Sequence, residues 1–145
     1  VAIKAAQAPV HCAFGDTIHF HLTAAQTGGA FTMFTDITPP GGGPPPHWHE
    51  REDEWFHVVD GCVSFFVEGR WFDAQPGDTV FAPRGSVHAF KNNTSTPTRL
   101  LIHTSPAGFE NFFAEEAEEF AKPGGPNMNR AVAIAEKHGI KFAQP

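Results

Sequence analysis

The sequence predicts an all-β fold, and three observations carry that prediction. Short segments in which apolar and polar residues alternate recur from residue 16 to residue 104. Gly, Pro and Asp, the strongest turn formers, punctuate them. With 145 residues, 41% of them hydrophobic and 18% charged, the chain can bury the core of one domain of ordinary size, spanning 1–145. Many short strands at such spacing imply a sandwich or barrel of antiparallel strands.

The elements follow in order. DTIHFHLTA alternates, with Ile18, Phe20 and Leu22 on one face and His19 and His21 on the other. AFTMFTDI is a second strand, and TPPGGGPPP is a long breaker. HWH comes next, then EWFHVV closed by Asp60-Gly61, then CVSFFVE closed by Gly69. RWFDA ends at the turn QPGD, and TVFAP leads through Arg84-Gly85-Ser86 into VHAFKN. TRLLIHT completes a barrel over about 16–104. From about 106 to 139 the period changes to that of helices. PAGFENFFAEEAEEFA puts Phe109, Phe112, Phe113, Ala117 and Phe120 on an apolar stripe, with Glu115, Glu116, Glu118 and Glu119 read as a solvated face. After PGGPN a second helix, NRAVAIAEKHG, ends at Gly139, with His138 at its C-terminus. Both helices are expected against the barrel near one end.

Composition removes several function classes. The net charge of −6 and the lack of a Lys/Arg run leave no footprint for nucleic acid or an anionic membrane surface. No apolar run approaches the ~18–20 residues of a membrane span. Cys12 and Cys62 form no CxxC pair and read as free thiols. The opening VAIKAAQAPV lacks a charged start followed by a long apolar block, so a cytoplasmic location is expected, a leader removed before Val1 being the alternative. There are fifteen Phe, three Trp and no Tyr, so no phenol is available as proton donor or ligand.

The chemistry concentrates in PPPHWHEREDEWFHVVDG, residues 44–61. Residues i and i+2 of a strand share a face, so His47 and His49 are parallel side chains with Trp48 opposite. In the following strand Glu54, Phe56 and Val58 share one face. If Glu54 points inward, His57 points outward and drops out as a ligand. His88, just after the Pro83-Arg84-Gly85 turn, offers a further nitrogen. Three imidazoles and a carboxylate suit one divalent transition metal and leave positions open for water or substrate. The set does not choose among Fe, Mn, Ni, Co, Cu and Zn. His19 and His21 repeat the HxH spacing but have no matching acid or third His.

Two motifs now stand complete. Gly41-(x5)-His47-x-His49-(x4)-Glu54-(x6)-Gly61 resembles the first cupin motif, and Gly77-(x5)-Pro83-x-Gly85-(x2)-His88-(x3)-Asn92 resembles the second. The resemblance implies a cupin jelly-roll β-barrel with His47, His49, Glu54 and His88 as metal ligands. The wording PPHWHEREDEWFHVVDG, FAPRG-(x2)-HAF and SPAGFENFF is similar to the quercetinase-like branch, which implies a metal-dependent dioxygenase opening a flavonol or a similar small aromatic or enolic substrate. In that reading Glu54 is the general base. A flat, apolar substrate would suit a barrel mouth of Phe, for which Phe20, Phe31, Met33, Phe56, Phe65, Phe81, Phe90 and Phe109 are candidates. The same site also permits isomerase, lyase or hydrolase chemistry on a sugar or organic acid. Such charged substrates call for Arg or Lys, yet Arg51 and Arg84 are expected to face solvent. A third reading is a non-catalytic barrel that binds a small molecule. The resemblance and the exposed edge strands together imply a homodimer.

Overall fold

The alternating segments form two antiparallel sheets in the protein, seen here as a computed structural model that describes residues 1–143. A 3-10 turn, Ala5–Gln7, precedes β1 (Val10–Ala13), β2 (Asp16–Leu22) and a one-turn helix α1 (Ala24–Thr27). β3 (Thr32–Thr38), β4 (His47–His49), β5 (Asp53–Asp60), β6 (Val63–Val67), β7 (Arg70–Ala74), β8 (Thr79–Ala82), β9 (His88–Lys91) and β10 (Thr98–Ser105) follow. Then come α2 (Phe109–Phe120), α3 (Met128–Lys137) and β11 (Ile140–Phe142). One sheet runs β1-β2-β3-β10-β5-β8 and the other β11-β4-β9-β6-β7. This is a jelly-roll β-barrel with two C-terminal helices.

The barrel differs from the sequence expectation at both ends. β1 pairs with β2 through His11 and Ile18, so the sheet begins at residue 10 rather than 16. β11 follows the helices, and Lys141 pairs with Trp48. The strand carrying the HxH pair thereby gains a neighbour from the far end of the chain.

Strand parity decides what faces the core. Ile18 and Phe20 of β2, Phe56 and Val58 of β5, Phe65 of β6, and Leu100 and Ile102 of β10 are at most 1% exposed. Burying each such side chain contributes about 1.5–3 kcal/mol, so this interior dominates the stability of the fold. In β3 the inward set is Thr32, Phe34, Asp36 and Thr38.

Helix α2 lies across one end of the barrel against β1, and its Phe109, Phe112 and Phe113 are buried. The expectation of an outward acidic face fails for two of its glutamates. Glu116 and Glu119 are 0% and 2% exposed, while Glu118 is exposed. Counting helical turns from Phe109 and Phe112 places positions 116 and 119 on the packed side, and position there overrides polarity. Glu119 has Lys122 at 2.7 Å, whereas Glu116 has no partner for either oxygen. Glu115 does face outward, where it accepts from Lys137 and pairs with His138 at the end of α3.

Candidate metal centre and its cavity

Each histidine of the cluster is aimed by a local backbone feature. β4 is a three-residue strand, so His47 and His49 project to the same side, at 8% and 1% exposure, while Trp48 turns away. His88 opens β9 directly opposite His47. The turn before it closes through Ser86 N–H to the Pro83 carbonyl and is clamped by Gly85 N–H to the His49 carbonyl. Gly85 takes φ +80°, a backbone region that side chains disfavour. The Arg84 N–H donates to Asp53 at the start of β5, tying turn to strand.

The tautomers are set from behind. His47 Nδ1 lies 2.8 Å from the Pro45 carbonyl and His88 Nδ1 2.9 Å from the Ser86 carbonyl. A carbonyl only accepts, so both rings carry hydrogen on Nδ1 and turn a bare Nε2 inward. His49 Nδ1 rests 3.3 Å from the Glu52 carboxylate, which at 7% exposure is itself buried. The candidate ligand nitrogens of His47, His49 and His88 lie within 4.8 Å of one another.

Glu54 comes from the opposite sheet. Its Oε2 is 2.8 Å from His49 Nε2 and 3.7 Å from His88 Nε2. Even so, none of these three buried atoms has a partner in hydrogen-bonding geometry. Orphaned polar atoms converging on one point are what a bound cation would satisfy, so the residues fit a divalent metal with three nitrogens and one oxygen.

The electrostatics reflect this crowding. Burial, reinforced by His88 and His49, lowers the His47 pKa to about 3. Burial also works against charge on His49, but Glu54 and Glu52 outweigh it and raise that group to about 9. Burial would raise Glu54. The adjacent His49, and then His88, overcomes it and holds the carboxyl well below the usual carboxylate range.

The cluster opens onto a narrow cavity of about 80 Å³ that continues to an open mouth. Phe34, Phe90, Phe109, Phe112 and Phe113 line it, with Ile140 and Phe142 of β11 also on the wall. Phe109 reaches the site itself, its ring centroid 5.2 Å from that of His49.

The sequence candidates for the pocket separate into three groups. Phe90 and Phe109 line the cavity. Phe20, Phe56 and Phe65 are buried in the core beside it. Phe31, Met33 and Phe81 do not line it. β3 turns Phe34 inward and leaves Met33 on the outer face, Phe31 packs against His103, and Phe81 is 55% exposed on edge strand β8. The wall residues Phe14, Phe34, Phe112, Phe113 and Phe142 were not foreseen, nor was Glu52 behind His49. The one readable signal for Glu52 was a carboxylate three positions after His49. His57, the histidine set aside by parity, pairs with Thr79 on the outside. His21 is likewise engaged, with Thr35.

Comparison with known proteins agrees with this geometry. Residues 35–104 match the cupin domain family. The chain belongs to the cupin superfamily. It is 31% identical to quercetin 2,3-dioxygenase of Bacillus subtilis over 90% of the chain, but spans only 41% of that protein's length. It is 26% identical to the probable oxidoreductase patJ of Penicillium expansum, over 65% of the chain and 32% of that protein. The structure of KdgF from a Halomonas species superposes on this cupin with a TM-score of 0.67 at 19% identity, covering 77% of the chain and 97% of KdgF, a likeness of fold alone. Cys12 and Cys62 are free in this cupin, and none of its described helices is long and apolar enough to cross a membrane.

Proposed function

We propose that this cupin is a metal-dependent dioxygenase that acts on a small aromatic or enolic molecule such as a flavonol. The supporting observation is that His47, His49 and Glu54, with His88 grouped beside them, line an aromatic cavity that, among the described residues, no Arg or Lys lines. A flat, uncharged ring system gains from such a wall, whereas an anionic sugar or organic acid would meet buried carboxylates with no Arg or Lys beside them. The similarity to quercetin 2,3-dioxygenase points the same way.

His47, His49 and His88 would hold a divalent ion through Nε2, with Glu54 as the fourth ligand or at its edge. When bound, that ion supplies Lewis acidity, which lowers the pKa of an enolic or phenolic hydroxyl nearby. Glu54, ionised at neutral pH, accepts the proton released by the substrate. Phe109 and Phe34 hold the ring against the cluster and keep water away. Glu52 and the Pro45 and Ser86 carbonyls hold the imidazoles in place. Dioxygen is the co-substrate, and both its atoms end in the cleaved product.

Oxygen uptake tests the reading. Metal-loaded protein given a flavonol is expected to consume dissolved oxygen and lose the flavonol absorbance, and to leave the flavonol intact under nitrogen. Glu54→Gln should lower turnover by about 100-fold or more while the protein remains folded. Full turnover in Glu54→Gln at full metal content would remove Glu54 as base, and flavonol loss without oxygen would remove the dioxygenase.

A further inference from the structure

The proposed chemistry leaves one polar feature of the cavity unused. Asp16 opens β2, and Asp36 lies on β3 opposite Ile18. Both carboxyls are buried, at 7% and 4% exposure, and both line the same cavity as His47, His49 and Glu54. Thr38 stands between them, its Oγ1 3.3 Å from Asp16 Oδ2 and 3.1 Å from Asp36 Oδ1. A hydroxyl has one hydrogen, so Thr38 donates to only one of them at a time.

Two carboxylates this close in an apolar wall cannot both remain charged. Burial raises both, Asp36 the more strongly because the charge of Asp16 adds to it. The pair therefore keeps one proton, held on Asp36 and shared toward Asp16. That arrangement accounts for three of the four oxygens. Asp16 Oδ1 remains buried on the cavity wall with no partner at all. A buried acceptor left unpaired is costly, more so when charged, and among the described residues no Arg or Lys lines the wall to answer it. Asp16 Oδ1 is therefore open to a hydrogen-bond donor from within the cavity.

We propose that Asp16 and Asp36 are a substrate-recognition pair, taking a hydroxyl of the ring substrate other than the one presented to the histidines. This rests on the dioxygenase reading for its substrate class and adds a specificity to it. Asp16 Oδ1 accepts from the hydroxyl, and the shared proton on Asp36 keeps the second carboxyl neutral. A ring system lacking that hydroxyl would bury the free oxygen unpaired and bind less well.

The test compares two flavonols by calorimetry on metal-loaded protein under nitrogen, where turnover is blocked. Quercetin carries hydroxyls on its outer rings, and 3-hydroxyflavone carries only the one expected at the histidines. The wild type is expected to bind quercetin about tenfold or more tighter than 3-hydroxyflavone. Asp16→Ala should bring the two affinities together. So should Asp16→Ala combined with Asp36→Leu, which leaves no lone buried acid and keeps the test available if the single variant does not fold. Equal affinities in the wild type, or the same preference in all three proteins, overturn the recognition pair and leave the dioxygenase reading intact. Failure of both flavonols to bind wild type overturns the substrate class and the pair together.

Discussion

Replacing Glu116 should make the protein more stable above neutral pH, and the size of the gain follows from its surroundings. The residue is 0% exposed, and neither carboxyl oxygen has a partner. Burial foremost, then the neighbouring Glu119 and Glu115, raise its pKa from 4.5 to about 7. The folded protein thus holds this proton more tightly than the unfolded chain does. Its contribution is intact below pH 4.5, erodes as pH rises from 4.5 toward 7, and stays at its least favourable value above that. At about 1.36 kcal/mol per pH unit the erosion amounts to at most about 3 kcal/mol. Leucine matches the volume and helix propensity without a charge to bury. Urea titrations of wild type and Glu116→Leu at intervals from pH 4.5 to 8.5 give the difference curve, from which the groups not coupled to Glu116 cancel. The variant should gain about 1–3 kcal/mol across that range relative to its value at pH 4.5. A flat difference curve would show that Glu116 reaches water or a partner in solution, and the burial argument would fail.

Other perturbations probe the site and its frame. Glu52→Gln leaves His49 less firmly oriented, so metal affinity measured by chelator competition should fall about 10–100-fold, and unchanged affinity would dismiss Glu52 as a positioning residue. Gly43→Ala places a methyl 2.0 Å from the Phe90 carbonyl oxygen at φ +130°, which should cost at least about 3 kcal/mol in thermal unfolding, and a normal melting temperature would contradict that close approach. Phe34→Ala removes a ring that is 1% exposed and should cost about 3–5 kcal/mol in urea, while Phe31→Ala on the other face should cost under about 1 kcal/mol. A larger loss from Phe31→Ala than from Phe34→Ala would mean that β3 presents the opposite face.

Why the convergence of the histidines was legible and the cavity wall was not comes down to register. His47, His49 and Glu54 are close in sequence, and a period of two is enough to say which of them point together. Gly85 and Pro83 announce the turn that delivers His88. The wall of the cavity depends instead on which face of β3 meets the core. FTMF offers Phe at both parities, so Phe31 and Phe34 are indistinguishable until β2 and β10 pair with the strand. The mistaken outward face of α2 had another origin. Glutamate suggests solvent, yet turns counted from Phe112 and Phe113 carry positions 116 and 119 inward regardless of what occupies them. β11 was invisible because three residues after Gly139 are too few to show a period, and its identity as a strand comes wholly from Trp48 and its neighbours. Asp16 and Asp36 lay in segments read for their apolar residues, and only the folded sheets bring them to one wall.

The pairing of β11 with β4 has a consequence for how the protein comes into being. During synthesis the histidine strand is made early, yet its outer neighbour β11 follows both helices in the chain. Until then His47 and His49 sit on a ragged sheet margin, open to whichever ions the surrounding fluid offers. Ile140 and Phe142 cover that margin, so the strand that follows the helices acts as a cork over the histidines, and a variant of it should be checked for metal content before any activity is compared.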